Sequence, residues 1–323
     1  MRIEGGRFLI TGGLGFVGRH LVRALVGRGA SVVVLDRESR SADALGALAG
    51  DPRVVVHQTD VRTADLSGPL DGCDGIFHLA ASADVRAAQD RPGEVFENNV
   101  LATARLLDAM AAAKVDALGF ASTSTVYGEA ALVPTPEDFA PLAPVSIYGA
   151  SKLASEGLIH GFAARHQMTA TIWRFANVVG GGATHGVTYD FVRKLAANPN
   201  ELEIFGREPG TRKSYVHIDD VIDAMLLTFG KSQGGIATFN VGTEDAITVK
   251  ELADEVCRAM GLTGVHYRWT GGVDGGGWKG DIRTMQLAVD RLKGLGWRPR
   301  HGSAESVAVA AKDLAASSRG PRR

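Results

Sequence analysis

Short runs of apolar residues recur along the first half of the chain, and they lack the strict alternation of strands that face water on one side. β-Branched residues are frequent in these runs, which favours strands buried on both faces, as in a parallel sheet. The runs are RFLITG (7–12), SVVVLD (31–36), RVVVHQTDV (53–61), GIFHLAA (75–81) and LGFASTSTV (118–126). The pattern predicts the strands of one buried parallel sheet.

Segments with helical periodicity lie between these runs. Helices are predicted over 16–28, 98–113 and 146–166, and Gly29 is a stop signal for the first. Alternation of strands and helices is typical of a parallel sheet with right-handed crossovers and helices on both faces, a doubly wound α/β fold of Rossmann type. The first helix is expected to turn one stripe towards the core, formed by Phe16, Val17, His20, Leu21, Ala24 and Leu25.

The alternation of strands and helices becomes irregular after TATIWRFANVVG (169–180). Glycine-rich connections appear at 180–186 and 271–277. We therefore expect a smaller, interleaved C-terminal α/β lobe that binds the substrate. The predicted division is a dinucleotide-binding domain over 1–174, to which 213–242 returns, a substrate lobe over 175–212 and 243–316, and a flexible tail over 317–323.

Composition excludes several classes of protein. The 323 residues are 45% apolar, and 35 basic residues against 36 acidic ones give a net charge of -1, so neither nucleic acid nor a membrane surface is expected as a partner. Two distant cysteines, Cys73 and Cys257, suit a reducing cytoplasm, and the histidines show no metal-ligand spacing. The chain has neither a bilayer-length apolar run nor room for a signal peptide before the first strand. A cytoplasmic protein without a metal is predicted.

Glycines at positions 12, 15 and 18 follow the first predicted strand and open the first predicted helix. A sharp turn, a close approach of backbone to a pyrophosphate and tight packing of helix on strand each require a residue without a side chain. The helix N-terminus offers N–H groups and a positive dipole end to phosphates. A simple strand-to-helix turn would show the same spacing. The end of the next strand is therefore needed to distinguish a dinucleotide-binding loop from a simple turn.

The second predicted strand ends at Asp36, where a carboxylate can accept hydrogen bonds from an adenosine ribose. A 2′-phosphate would meet that negative charge, which favours NAD, although Arg37 and Arg40 would suit NADP. The chain is predicted to bind NAD.

Tyr148 and Lys152 stand four residues apart in YGASK, within a predicted helix. That spacing places the two side chains on one helix face. A nearby ammonium stabilises a phenolate and should lower the pKa of Tyr148 towards the working range of a base. The hydroxyl-rich STSTVYG (122–128) follows a predicted strand, at the sheet edge where ligands bind in such folds.

Together, TGGLGFVG, HLAA, STSTVYG and YGASK resemble the extended short-chain dehydrogenase/reductases, in particular the nucleotide-sugar epimerases and dehydratases. The resemblance continues through RFANVVG, KSYVHIDDV, FNVGT and KGDI…LGWRP, and so spans nearly the whole chain. It implies that Tyr148 is the catalytic acid/base, that Lys152 tunes it and that Thr123 bonds the oxygen being oxidised. It implies a cofactor set of Gly12, Gly15, Phe16, Val17, Gly18, Asp36, Arg37, Asp60, Val61, Leu79, Ala80, Ala81, Asn99, Ser122, Tyr148 and Lys152.

The family's dehydratases carry Asp-Glu directly after the catalytic Thr, and its decarboxylases keep the Glu. This chain has Ser124 and Thr125 there, which cannot act as carboxylates. The resemblance therefore favours an NAD-dependent epimerase of a nucleotide sugar, acting at C4. A sugar oxidoreductase or dehydratase of the same family, and an epimerase of a carbohydrate without a nucleotide, are the alternatives.

The resemblance also implies a substrate set and a homodimer built on segments 93–113 and 151–166. Where the family has two arginines for the diphosphate, this chain has Lys213 and Trp278. Arg212, Lys279 and Arg283 would have to rebuild the anion site, since lysine lacks the two-pronged fork of arginine. The implied substrate set is Val85, Thr123, Ser124, Thr125, Tyr148, Asn177, Arg212, Lys213, Trp278, Lys279 and Arg283.

Overall fold

A computed structural model describes residues 2–37, 42–231, 235–273, 276–278 and 280–318. Its strands are β1 (Arg7–Thr11), β2 (Ser31–Asp36), β3 (Val54–Gln58), β4 (Gly75–His78), β5 (Ala117–Thr123), β6 (Thr169–Phe175), β7 (Asn177–Val179), β8 (Glu201–Ile204), β9 (Arg212–Lys213), β10 (Tyr215–His217), β11 (Ile236–Val241), β12 (Ile247–Thr248), β13 (His266–Trp269) and β14 (Thr284–Met285).

The helices are α1 (Phe16–Gly27), α2 (Ser67–Leu70), α3 (Val85–Ala88), α4 (Pro92–Val95), α5 (Ala102–Ala113), α6 (Ile147–His166), α7 (Val187–Ala197), α8 (Ile218–Thr228), α9 (Val249–Met260), α10 (Asp290–Gly294) and α11 (Ser303–Ser318). A π-helical turn, Phe96–Leu101, leads directly into α5. Among the described residues, every helix is too short or too polar to cross a bilayer.

Seven strands form the main sheet in the order β11-β6-β5-β4-β1-β2-β3. The pairs β1–β2, β2–β3, β1–β4 and β4–β5 are parallel, and the order reverses its direction beside β1. In such sheets ligands bind beyond the carboxyl ends of the strands, at the point of reversal. The predicted doubly wound α/β fold is confirmed.

The chain divides into two compact units. Unit 1 comprises Met1–Val126, Ile147–Arg174 and Ile222–Phe239, and unit 2 comprises Tyr127–Ser146, Phe175–Val221 and Asn240–Arg323. Segments 127–146, 213–221 and 240–242 therefore fall in unit 2, whereas the sequence grouping had placed them with the dinucleotide-binding domain.

Aromatic side chains fill the centre of unit 1. Phe77 stacks on Phe229 with ring centroids 4.1 Å apart, and Trp173 lies parallel to Phe77 at 6.0 Å. Gly119 makes room for the indole, because a Cβ at that position would overlap the Trp173 ring. The indole N–H donates to Thr228 Oγ1 at 2.7 Å, so the buried tryptophan leaves no unsatisfied donor.

Two expectations about burial are wrong. Strand β3 is not buried on both faces: it lies at the edge of the sheet, and Val55 is 41% exposed. The buried stripe of α1 is also rotated from the expected one, because the first turn of the helix faces the glycine loop rather than the core. The buried residues of α1 are Gly18, Leu21, Val22, Leu25 and Val26.

Unit 2 has a core of its own, in which α7, α9 and α11 pack together with β8 and β10. Phe191, Leu252 and Leu314 are among its buried side chains. Helix α9 begins with a capping box, since Thr248 Oγ1 accepts from the Glu251 N–H and the Glu251 carboxylate accepts from the Thr248 N–H.

Candidate active site

The glycine loop between β1 and α1 is packed against neighbouring backbone. Gly12 has a φ of +69°, and a Cβ there would lie 2.8 Å from the Ala80 nitrogen. A Cβ at Gly18 would overlap the Gly12 carbonyl oxygen and lie 2.7 Å from Gly13 Cα. The loop therefore has no room for side chains at these positions, as the sequence predicts for a phosphate-binding turn.

Helix α1 begins at this loop without a capping side chain and without an acidic residue in its first turn. Phe16 and Val17, the first helical residues, are half-buried. The N-terminal end of α1 thus keeps the N–H groups and positive dipole that suit a pyrophosphate. Asp36 is tied to the same loop, since its Oδ2 accepts from the Leu14 N–H at 2.9 Å. These residues fit a dinucleotide with its ribose at the end of β2.

The residues expected around the adenine lie after β2 and β3. Asp60 is clamped by both arms of the Arg62 guanidinium, with a closest approach of 2.7 Å, and this contact lowers the pKa of the Asp60 carboxyl. Arg37 donates to Asn98 Oδ1 at 3.1 Å, and Val61 is buried. Arg40, which had kept NADP open, lies outside the described residues.

Strand β4 ends at His78, a residue that the sequence reasoning did not select. Its ring nitrogens contact Thr11 Oγ1 at 2.6 Å and Thr103 Oγ1 at 3.0 Å, and burial lowers its pKa to about 3. A neutral His78 thus joins β1, β4 and α5. The residues that follow it, Leu79, Ala80 and Ala81, are half-buried beside the glycine loop.

Asn99 lies in the π-helical turn before α5 and is buried. Its Oδ1 accepts from the Ser82 N–H at 2.7 Å, and its Nδ2 donates to Ser151 Oγ at 2.8 Å. Ser151 in turn donates to the Tyr148 carbonyl at 2.8 Å. Asn99 therefore connects the segment after β4 to the helix that carries Tyr148, which is a buttressing contact.

The residues predicted to catalyse the reaction occupy two adjacent elements of unit 1. Thr123 is the last residue of β5 and is 8% exposed, with its Oγ1 3.1 Å from Thr125 Oγ1. Tyr148 and Lys152 lie one turn apart at the start of α6. Lys152 is 2% exposed, donates to the Ala121 carbonyl at 2.8 Å and stands 4.6 Å from the centre of the Phe120 ring.

The expected lowering of the Tyr148 pKa is wrong for the chain by itself. Burial raises the pKa of the Tyr148 phenol to about 12 and lowers the pKa of the Lys152 ammonium to about 7. Both groups are thus shifted towards their neutral forms, because burial penalises each charge. Residues with strongly shifted pKa values in one place are typical of catalytic sites.

The expected anion site in unit 2 is already neutralised by carboxylates. Lys213 pairs at 2.5 Å with Asp281, whose side chain is 3% exposed, and the Lys213 ammonium lies 5.4 Å from the centre of the Trp278 ring. The other cations are also engaged: Arg212 lies 3.8 Å from Glu251, and Arg283 lies 3.7 Å from Glu129. Lys279 lies outside the described residues.

The remaining candidates for substrate binding occur in both units. In unit 2, half-buried Asn177 donates to the Ser214 carbonyl at 3.0 Å. In unit 1, Val85 begins α3, Ser124 is buried and Thr125 is half-buried after β5. The part of the chain that the structure describes contains no group of three acidic, histidine or cysteine residues suited to a metal ion.

Two buried polar residues of unit 1, Glu156 and Arg174, were also missed. Glu156 lies on α6 one turn after Lys152, and Arg174 lies on β6. Their signal in the sequence was a charge inside a segment that otherwise reads as buried, WRF for Arg174 and the inner face of α6 for Glu156. Such charges are seldom buried unless they are paired.

The glycine loop, the acidic end of β2 and the Thr–Tyr–Lys set are together typical of an enzyme that binds a dinucleotide and removes hydrogen from an alcohol. The sequence profile of the NAD-dependent epimerase/dehydratase family matches residues 8–242, well over half of the chain. The protein belongs to this family, and NAD is its cofactor, as the sequence predicted.

Among curated relatives, the chain is 33% identical over 313 residues to the UDP-glucose 4-epimerase of Mycolicibacterium smegmatis, covering 94% of this chain and 96% of the relative. A crystal structure of UDP-galactose 4-epimerase is 38% identical with a TM-score of 0.84, covering 96% of this chain and 99% of that one. MoeE5 in complex with UDP-glucuronic acid and NAD is 31% identical with a TM-score of 0.85, covering 97% and 100%.

Proposed function

We propose that the protein is an NAD-dependent 4-epimerase of a nucleotide-activated sugar, with UDP-glucose and UDP-galactose as the pair to test first. Relatives and structural neighbours that act on UDP-sugars support this substrate class. The observation that carries epimerisation rather than elimination is the pair Ser124 and Thr125 directly after Thr123. Neither side chain can serve as the carboxylic acid or base that loss of water or carbon dioxide would require.

The chain's own residues would handle the proton of the reacting hydroxyl. Tyr148 takes that proton as a phenolate and later gives it back, while Thr123 hydrogen-bonds the same oxygen and Lys152 stabilises the phenolate charge. When bound, NAD would supply reversible hydride transfer at the carbon that bears this hydroxyl. The atoms balance without a net oxidant, because the proton and the hydride both return to the sugar.

Among the described residues, the cations expected to bind the diphosphate of the substrate are already paired with carboxylates. Any phosphate that approaches Lys213, Arg212 or Arg283 must compete with the carboxylate that each already faces. An activated sugar would have to exchange these ion pairs, whereas a carbohydrate without a nucleotide would leave them intact. Free hexoses therefore belong in the substrate panel beside the nucleotide sugars.

The direct test is to incubate the purified protein with UDP-, GDP- and dTDP-sugars and with free galactose in deuterated water, and to identify products by NMR. We expect UDP-galactose and UDP-glucose to interconvert without deuterium incorporation, because the hydride never exchanges with solvent. A 4-keto-6-deoxy product would make the enzyme a dehydratase. Consumption of added NADPH without formation of an epimer would make it an oxidoreductase. Turnover of free galactose, but of no nucleotide sugar, would show that the substrate carries no nucleotide.

We also propose a homodimer in which the face formed by the π-helical turn, α5 and α6 of each subunit meets its copy. Phe96 is 58% exposed and Leu101 is 39% exposed on this face. On α6 the exposed residues Ala154, Gly157 and Gly161 would allow close approach of a second helix. An exposed apolar side chain with small residues beside it is typical of an interface between subunits.

Replacing Phe96 by glutamate should weaken this dimer, because the substitution places a charge in a desolvated contact. We expect the dissociation constant to rise by about 30-fold or more, which corresponds to the ~2 kcal/mol of an interface hot spot. Light scattering after size-exclusion chromatography measures the change over a dilution series. The matched control is Leu132→Glu, because Leu132 is 54% exposed but lies in unit 2. An unchanged dimer in Phe96→Glu would place the interface elsewhere.

A cytoplasmic location is proposed on the state of the cysteines. Neither Cys73 nor Cys257 forms a disulfide, and burial raises the pKa of both thiols. Unreactive, unpaired thiols are typical of proteins that work in a reducing compartment.

A further inference from the structure

Helix α6 is joined to strand β5 at two consecutive strand residues. Lys152 Nζ donates to the Ala121 carbonyl at 2.8 Å, and Ser122 Oγ donates to Glu156 Oε1 at 2.5 Å. Lys152 and Glu156 are one helical turn apart, and Ala121 and Ser122 directly precede Thr123. The two contacts therefore fix both the distance and the register between the strand end that carries Thr123 and the helix that carries Tyr148.

Glu156 is held in turn by Arg174 on β6. The Arg174 Nε donates to Oε1 at 3.1 Å and its Nη2 donates to Oε2 at 2.7 Å, while the two side chains are only 7% and 4% exposed. A two-pronged, buried contact of this kind fixes the carboxylate in one orientation. A buried ion pair contributes little to stability in general, because desolvation offsets the attraction. This ion pair contacts Ser122, which directly precedes Thr123, and that position indicates a role other than stability.

We propose that Glu156 is a positioning residue for the reaction, which holds Thr123 in register with Tyr148 through Ser122 and favours the protonated form of Lys152. The inference rests on the proposed function, since it assigns roles to Thr123, Tyr148 and Lys152. It adds a buried residue whose carboxylate contacts Ser122 and Arg174.

The charges around Lys152 explain how Glu156 affects the protonation of this lysine. Tyr148 and Glu156 lie beside it on α6, buried His78 lies on β4, and Arg174 on β6 pairs with Glu156. Burial lowers the pKa of Lys152, whereas the Glu156 carboxylate raises it. Glu156 is thus the negative charge that favours the protonated amine, and the protonated amine is the form that stabilises a phenolate.

The test compares Glu156→Gln, which keeps the shape and removes the charge, with Ser122→Ala, which removes one hydrogen bond and no charge. Heteronuclear NMR of lysine side chains in the purified protein, with Lys152 assigned through Lys152→Arg, reads the pKa of Lys152 without any substrate. We expect that pKa to fall by about one unit in Glu156→Gln and to stay unchanged in Ser122→Ala, because one opposite charge at close range has an effect of this size. An unmoved pKa in Glu156→Gln would overturn the charge role.

Turnover provides the second readout. We expect the alkaline limb of the kcat profile to move to lower pH in Glu156→Gln, because Lys152 loses its proton earlier as the pH rises. In Ser122→Ala we expect kcat to fall about 10-fold with the KM values unchanged, since small misplacements of catalytic groups have large effects on rate. A purely structural role would lower the melting temperature and leave the pH profile in place.

The outcomes separate this inference from the proposed function. If the wild-type protein epimerises no sugar but Glu156→Gln still lowers the pKa of Lys152, the function is wrong and the charge role stands. If Glu156→Gln does not fold, Ser122→Ala decides: a lowered kcat supports the positioning role, and a wild-type kcat overturns it.

Discussion

Replacing Tyr148 by phenylalanine is expected to lower kcat by about 10²- to 10⁴-fold, the usual contribution of a general acid–base group. The phenol lies one helical turn before the buried Lys152, and Phe keeps the ring while removing the proton carrier. Epimerisation of UDP-galactose measured over pH 6–9 provides the rate. The melting temperature should match that of the wild-type protein, because phenylalanine keeps the aromatic ring.

The matched control is Tyr189→Phe, which removes the same hydroxyl from a half-buried tyrosine on α7 of unit 2. Its kcat should stay within about twofold of wild type, as substitutions outside a site usually have small effects. If Tyr148→Phe turned over as fast as Tyr189→Phe, Tyr148 could not be the acid/base, and the catalytic assignment would have to move to another residue.

The fold was predictable because hydrophobic pattern and local stereochemistry agreed. Each predicted strand became a strand of the main sheet, and the glycine spacing around Gly15 marked the turn at which the strand order reverses. The two errors have one cause: periodicity shows that a face is apolar but not what covers it. Val55 at the sheet edge is 41% exposed, and the first turn of α1 faces the glycine loop.

The site was predictable only in part. YGASK and the glycine loop are local motifs, so their residues could be read from spacing alone. The network of Ser122, Glu156 and Arg174 joins three elements, and sequence distance conceals it. The pKa of Tyr148 was misjudged for a similar reason, because burial is a property of the fold and outweighs the helical neighbour.

The substrate residues were the hardest to read from the sequence. Each cation had been counted as available for a phosphate, yet Lys213 meets Asp281 from a segment 68 residues further along the chain. A charge count cannot show such pairing. Function could still be inferred, because the choice of epimerisation depends on Ser124 and Thr125 and not on the anion site.

Gly18→Ala is expected to cause the loss of bound NAD. The new Cβ would overlap the Gly12 carbonyl oxygen and lie 2.7 Å from Gly13 Cα, so the loop itself would have to move. Overpacking of this kind costs about 1–3 kcal/mol, which is a ~5- to 160-fold weaker affinity if all of it falls on cofactor binding. Calorimetric titration with NAD and the cofactor content of the purified protein measure the change.

Gly27→Ala is the matched control, because Gly27 ends the same helix and a Cβ there meets no atom within 4 Å. That substitution should leave NAD affinity unchanged and raise the free energy of unfolding by about 0.5–1 kcal/mol, the difference between Gly and Ala in a helix. The same methyl group is thus predicted to be harmless at one end of α1 and to release the cofactor at the other. Equal NAD affinity in both variants would mean that α1 does not hold the pyrophosphate at its N-terminus.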